Sequence, residues 1–374
     1  MMMRRGASTL LLVAAVGAVQ FAVFELALRA WGGTEAAPAF QRLFMADPLV
    51  GYRLKPGVST RFETAEFATD ITINSAGVRD DEVAPKKPGE YRIVVLGDSL
   101  VMAVQVPVEQ TFCRLLQDRL NRELGGGQRR FRVINAGVQG FGPVEEFLFY
   151  REIVSRFDPD LVLVALYVAN DAVEAAASAY RLGSDPRAQG AGPVLRDTWY
   201  AATRRIVRRS MVLQVVRLRL RSLAEHFGGA PDLAPALRTY LPELHDDVAS
   251  GLSVTRDVMA RLADLAAADG ARTALMFLPA LFQVDDADYG YLTRDLAVSG
   301  YRLVRDAATA RFHEALAPLS LPSFDTLPVL RAGDRNERVF FVGTAHFTPH
   351  GHAVLAEGLS AFLIEAGLLP FPGP

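Results

Sequence analysis

The chain of 374 residues has one cysteine, two tryptophans and six histidines, and its 40 Lys+Arg nearly cancel its 42 Asp+Glu. A single cysteine excludes a disulfide framework and a cysteine-built zinc site. Cys113 falls in a helical pattern with no histidine close to it in sequence, so it reads as a small buried residue and not as a nucleophilic thiol. A net charge of −2 gives no overall attraction to nucleic acid. No segment repeats at solenoid spacing, and none is low in complexity beyond the three glycines at 125–127. What is left is a chain 50% hydrophobic, long enough to bury one large core, or one core and an appendage.

Its apolar residues are unevenly spread. Arg4 and Arg5 precede the almost uncharged run 7–31, which is longer than the roughly 20 residues a bilayer core requires. The small residues Ala14, Ala15, Gly17 and Ala18 resemble a signal-peptide cleavage region, but apolar character continues through 21–28 and favours an uncleaved anchor. Glu25 lies at helical spacing from Arg29 near the far interface, where both reach polar surroundings. Positive charge before the span keeps the N-terminus inside. The expectation is a single-pass protein of the cytoplasmic membrane with the rest of the chain on its extracytoplasmic side.

Three regions follow: a tip and anchor at 1–33, a β-rich lead-in and linker at 34–90, and a main domain at 91–374. In the lead-in, the alternating run 69–74 predicts a strand and 74–77 a turn. In the main domain, unbroken apolar runs at 93–96, 131–134, 161–167, 273–278 and 321–324 predict buried strands. Helical spacing marks 108–124, 144–157, 252–268 and 301–317, with Gly270 as a stop, and one more amphipathic helix closes the chain. Strand and helix in alternation predict an α/β fold, a parallel sheet covered on both faces. Residues 175–250 are too long for an ordinary crossover and read as a helical insertion. Its arginines, Arg204, Arg205, Arg208, Arg209, Arg217, Arg219 and Arg221, have no acidic residue among them. A solvated lid face is the simpler reading, and contact with anionic lipid or polymer is the alternative.

The first strand of the main domain ends abruptly in Gly-Asp-Ser, which sets Ser99 just past its carboxyl end, where α/β sheets collect reactive groups. Ser99 is the candidate nucleophile, its own N–H facing an oxyanion; the plainer reading is that Asp98 and Ser99 cap a helix. A serine needs a base, and His346, His350 and His352 cluster before the last helix, while His226, His245 and His313 read as surface or structural. After the second strand, NAGVQGFG at 135–142 brings glycines whose N–H groups can approach a reacting carbonyl. After the third, Asn170 offers a side-chain amide. A Gly-x-Ser-x-Gly elbow is excluded because Val101 occupies its last position, and no phosphate loop is present.

On these residues, Gly-Asp-Ser, the Asn-Ala-x-x-x-Gly of 135–140, the Asn-Asp of 170–171 and HFTPHGH of 346–352, the chain resembles the SGNH branch of the GDSL-type hydrolases over residues 92–363, the insertion unmatched. The resemblance implies a flavodoxin-like three-layer sandwich with a five-stranded parallel sheet. It also implies a nucleophile at Ser99, a base at His346, and an oxyanion hole from the N–H of Ser99, Gly140 and Asn170, with no metal or cofactor. His352 would then be structural and His350 an exposed extra. The chain departs from the family pattern in three places. Thr344 and Gly343 stand where the family's acid would orient the histidine, Val168 replaces a glycine before Asn170, and the glycine usual after the serine is missing. Asp325, Asp334 and Glu337 are the nearest acids before His346 and could reach it only through the fold, so the orienting group is left unknown. The expected function is ester hydrolysis of an acyl group, on a cell-surface glycan or a lipid. The alternatives are O-acyl transfer to an extracellular polysaccharide and a catalytically weakened binding protein; the oligomeric state is not legible.

Overall fold

The computed structural model describes Gln20, Phe21, Val23 and residues 40–126, 129–183, 233–298 and 300–370. The anchor expected at 1–33 and the arginine-rich centre of the insertion lie outside the described residues. Among the described residues no helix is long and apolar enough to cross a membrane. The chain divides into two units, of which the first (Met1–Glu35 with Arg187–Asp232) is almost wholly outside the described residues. The second, Ala36–Pro186 with Leu233–Pro374, has the following architecture.

It begins with two antiparallel hairpins, β1 (Phe44–Asp47) with β2 (Gly51–Leu54), and β3 (Ser59–Glu63) with β4 (Ala68–Thr72). The sequence predicts only the last of these strands, because the others are short and half-exposed and lack a long alternating run. The turn after β4 is made by Asn74, whose Oδ1 accepts from the N–H groups of Ala76 and Val78.

The main domain follows as β5 (Glu90–Gly97), α1 (Ser99–Met102), α2 (Phe112–Glu123), β6 (Arg130–Gly137), α3 (Pro143–Glu152), β7 (Leu161–Tyr167), α4 (Asp171–Ser178), α5 (Asp246–Ala268), β8 (Arg272–Leu278), α6 (Leu281–Val284), α7 (Asp286–Val298), α8 (Ala307–Leu316), β9 (Ser323–Asp325), α9 (Leu327–Asp334) and α10 (Pro349–Glu365). The five strands β5 to β9 form one all-parallel sheet in the order β6-β5-β7-β8-β9. Taken as sheet strands one to five, this is 2-1-3-4-5, the flavodoxin-like order, with its switch point between β5 and β7.

Because successive strand residues face opposite sides, each unbroken apolar run feeds two cores. Ile93, Val95, Leu163 and Met276 pack with Leu116 and Leu120 of α2 and Leu355 and Leu359 of α10. Val94, Leu96, Val164 and Phe277 pack on the other face with Leu148 of α3, Leu252 and Met259 of α5 and Phe312 of α8. The hairpins add Leu43, Leu54, Ile71 and Ile73 to this second core. Truncating any one such leucine to alanine costs about 2–5 kcal/mol.

Three expectations need correction. The helix expected at 301–317 starts only at Ala307: Gly300 (φ +77) closes α7, and Val304 N–H is drawn to Tyr240 O at 2.8 Å. Three helices lie outside the expectation: α6 and α9 are four and eight residues long, too short for a helical period to show, and α7 carries only a weak apolar stripe. The segment after Ser99 forms the one-turn helix α1 at once, before the helix expected from 108 onward.

Candidate active site

Ser99 is the first residue of α1 and lies at the switch point of the sheet. The close fit begins at Gly97, where an added Cβ would meet Val101 Cγ2 at 2.3 Å, so only glycine lets the helical turn fold back on the strand end. Asp98 does cap α1, its Oδ1 accepting from Leu100 N–H at 2.8 Å. Capping therefore falls to Asp98 and does not occupy the Ser99 side chain. The half-buried Ser99 keeps its hydroxyl almost uncommitted, its only partner among the described residues being Asp98 Oδ2 at 3.5 Å, the outer limit for a hydrogen bond. Burial raises Asp98 to about 6, against the lowering effect of the N–H and O–H groups it accepts from.

The carbonyls at the end of α1 are bound by Arg79, a residue only 1% exposed, and Ala103 O also accepts from Val106 N–H at 3.3 Å. It donates to Met102 O (2.9 Å), Ala103 O (2.6 Å) and Val106 O (2.6 Å). Burial lowers Arg79 to about 10, with Glu109 and Asp80 opposing, so it stays charged at neutral pH. Ala103 is held there at φ +52, a conformation that costs a non-glycine residue about 1–2 kcal/mol.

Gly140 sits in the turn after β6 at φ +70, exposed, with the hydroxyl of Tyr52 from β2 only 2.7 Å from where a Cβ would be. That hydroxyl donates to Gln139 O at 2.7 Å and so fixes the turn. Asn170 stands before α4 at the end of β7 without capping it. Its Nδ2 instead donates to Glu174 Oε1 at 2.9 Å, and its Oδ1 is buried with no hydrogen-bond partner among the described residues. Strand register aligns these loops, since Gly97 pairs with both Gly137 and Ala165.

His346 lies in a tight hairpin between α9 and α10, where Phe341 N–H donates to His346 O and Thr348 N–H to Val339 O. The neighbouring Phe340 and Phe347 pack in the same core as Leu100 and Val101, the residues that follow Ser99. Ala345, just before the histidine, has φ +54. The ring Nδ1 lies 2.7 Å from Thr344 O, which can only accept, so Nδ1 carries the proton of the neutral imidazole and Nε2 is left as the base. Nε2 is buried and makes no hydrogen bond, to Ser99 or to any other described group. Burial lowers the His346 pKa, partly offset by the Thr344 carbonyl.

None of the three nearest acids that precede His346 in sequence hydrogen-bonds to this ring. Asp325 caps Leu327 N–H at 3.0 Å and lies 3.6 Å from His313, Asp334 accepts from Val339 N–H at 2.9 Å, and no hydrogen bond joins Glu337 to His346. His352 is 1% exposed, accepts Phe112 N–H on Nδ1 at 3.2 Å, and is lowered to about 3, mainly by burial. His350, expected as an exposed extra, is half-buried with Nε2 3.3 Å from Gly333 O, because α10 begins at Pro349 and turns it inward. His245 is exposed beside Asp247, and His226 lies outside the described residues. A cavity of about 650 Å³ between β4 and 79–82, 107–109 is lined by Arg79 but by none of Ser99, Gly140, Asn170 and His346. No group of acids, histidines and cysteines among the described residues is arranged to hold a metal.

No protein-family model matches the chain, and no curated protein matches it. Solved structures do show similar chain paths. One is the crystal structure of TesA, at 15% identity and TM-score 0.40 over 73% of this chain and 98% of that one. Axe2, an acetylxylan esterase from Geobacillus stearothermophilus, is similar at 11% identity and TM-score 0.40 over 73% and 94%. A protein of the G-D-S-L family from Desulfitobacterium hafniense DCB-2 is similar at 11% identity and TM-score 0.38 over 73% and 99%.

Sequence reasoning missed Arg79, Tyr52 and Glu174. Only Glu174 had a local signal, its i,i+4 spacing from Asn170; Arg79 and Tyr52 act across the fold.

Proposed function

We propose that the protein hydrolyses esters of an acyl group, with Ser99 as nucleophile and His346 as base. The observation that carries this reading is the His346 ring: a carbonyl on Nδ1 fixes the tautomer that leaves Nε2 free to take a proton. Ser99 Oγ would give its proton to Nε2 as the Oγ–C bond forms and the carbonyl π electrons move to oxygen. The N–H groups of Ser99 and Gly140 and the Asn170 amide would hold that oxygen. Collapse expels the alcohol, which takes the proton from the imidazolium, and water then repeats the sequence to free the acid. With a carbonyl in place of a carboxylate behind Nδ1, the imidazolium is stabilised less than in a full triad. Ser99→Ala is expected to abolish turnover of a small activated ester, and Asn170→Ala to lower it by roughly 10²- to 10³-fold. Undiminished turnover in Ser99→Ala would overturn the assignment.

A further inference from the structure

One carboxyl group touches both loops that would hold the oxyanion, and the reaction above makes no use of it. Glu174 lies one helical turn after Asn170 and accepts from its amide at 2.9 Å. Its Cβ and Oε2 lie 3.0 and 3.3 Å from the point where a Cβ on Gly142 would stand, so the same side chain packs against the glycine turn of Gly140. The surroundings are acidic from every side: Asp98 at the end of β5, Glu145 and Glu146 on α3, and Asp171 at the start of α4. Tyr167 faces the same acids, and Arg181 lies 3.1 Å from Glu145. Oxygens of this group are buried without hydrogen-bond partners among the described residues: Glu174 Oε2, both of Glu146 and Asp171 Oδ1.

We propose that Glu174 is a positioning residue for the oxyanion site, a neutral carboxylic acid that holds the Asn170 amide without placing negative charge beside the developing oxyanion. The proposal rests on the reading of Asn170 as an oxyanion donor. An amide nitrogen has two N–H groups; one engaged by Glu174 fixes the plane of the amide and leaves the second to meet the substrate. An ionised Glu174 would hold the amide equally well but would repel the oxyanion across a poorly solvated gap. Burial, with the charges of Asp98 and Glu145, raises Glu174 to about 8 against the lowering effect of the Asn170 amide. The acid is thus neutral at pH 7 and ionises as pH rises through 8, so kcat falls on the alkaline side.

The test is the pH profile of kcat and KM for 4-nitrophenyl acetate with the full chain, between about pH 6 and about pH 9.5. The wild type should lose kcat above about pH 8. Glu174→Gln, which keeps the amide partner but cannot ionise, should stay within about threefold of wild type at neutral pH and lose the alkaline decline. Glu174→Ala should lower kcat by about 100-fold at every pH with KM little changed, as a misplaced donor does. Asn170→Ala should gain no further loss from Glu174→Ala, because the two act as one unit. An unchanged alkaline decline in Glu174→Gln overturns the proposal, as does a normal kcat in Glu174→Ala beside an impaired Asn170→Ala, with Asn170 still a donor. Normal activity in Asn170→Ala removes that donor and the proposal with it. Should Glu174→Ala fail to fold, the Glu174→Gln profile decides alone.

Discussion

The parallel sheet and the two hairpins before it are secured in opposite ways. In β5 every residue from Arg92 to Gly97 is buried, and in β7 every residue from Leu161 to Leu166, so hydrophobic burial on two faces holds the sheet. The hairpins alternate between exposed and covered residues and, with the residues flanking their strands, add Leu43, Val50, Leu54, Ile71 and Ile73 to one core. Judged by burial they are an appendage. Judged by hydrogen bonds, the lead-in ties down the site: Arg79 binds the end of α1, Tyr52 the Gly140 turn, and Glu66 the hairpin of His346 through Gly343 N–H at 2.9 Å. The sheet therefore sets where the site loops begin, and the lead-in sets where they end.

Arg79→Ala strikes this division hardest. It leaves the carbonyls of Met102 and Val106 without the Arg79 donor, while Ala103 O keeps the Val106 N–H at 3.3 Å, and since each buried group left unsatisfied costs about 1–3 kcal/mol, a loss of about 2–5 kcal/mol is expected in urea unfolding. That would match a leucine truncation in the sheet, and a loss under about 1 kcal/mol would return the lead-in to appendage status. On the sheet side, His352 between α2 and α10 is neutral in the fold and lowered to about 3, against about 6.5 when unfolded. The unfolded chain binds the proton first as pH falls, so its contribution is intact above about pH 6.5 and decays toward pH 3. Wild type should lose about 3 kcal/mol more than His352→Gln between about pH 6.5 and pH 4. Equal slopes would show that His352 is not held neutral. The smallest expected effect is a gain: Thr344→Asp places a carboxylate at the His346 hairpin and should raise kcat by about tenfold with KM nearly unchanged. No gain in kinetics would mean that the carbonyl already supplies what an acid would.

The sheet was legible because unbroken runs of Val, Leu and Ile have one stable home, a strand covered on both faces. Ser99, Gly140, Asn170 and the histidine cluster were legible because each falls at a boundary between elements, where a periodic pattern stops. The helices α6, α7 and α9 were not, since α6 and α9 are too short for a helical period to show and the apolar stripe of α7 is weak. Nor could spacing show which group faces His346 Nδ1: a backbone carbonyl has no letter in the sequence, and the absence of an acid at Thr344 left several distant candidates. Arg79 and Tyr52 were invisible for a related reason. Their partners are carbonyls 23 to 87 residues away, brought near only by the tertiary fold.

The central claim is that His346 Nε2 activates Ser99, and the rate of covalent capture by a fluorophosphonate tests it directly. Intact-mass measurement of the wild-type protein should show one phosphonyl group added, placed on Ser99 by peptide mapping, and no addition to Ser99→Ala. The rate in His346→Gln should fall by at least about 100-fold, while that in His352→Gln stays close to wild type, because general-base assistance contributes about 10²- to 10⁴-fold. Equal labelling of wild type and His346→Gln, or labelling that persists in Ser99→Ala, would contradict the account.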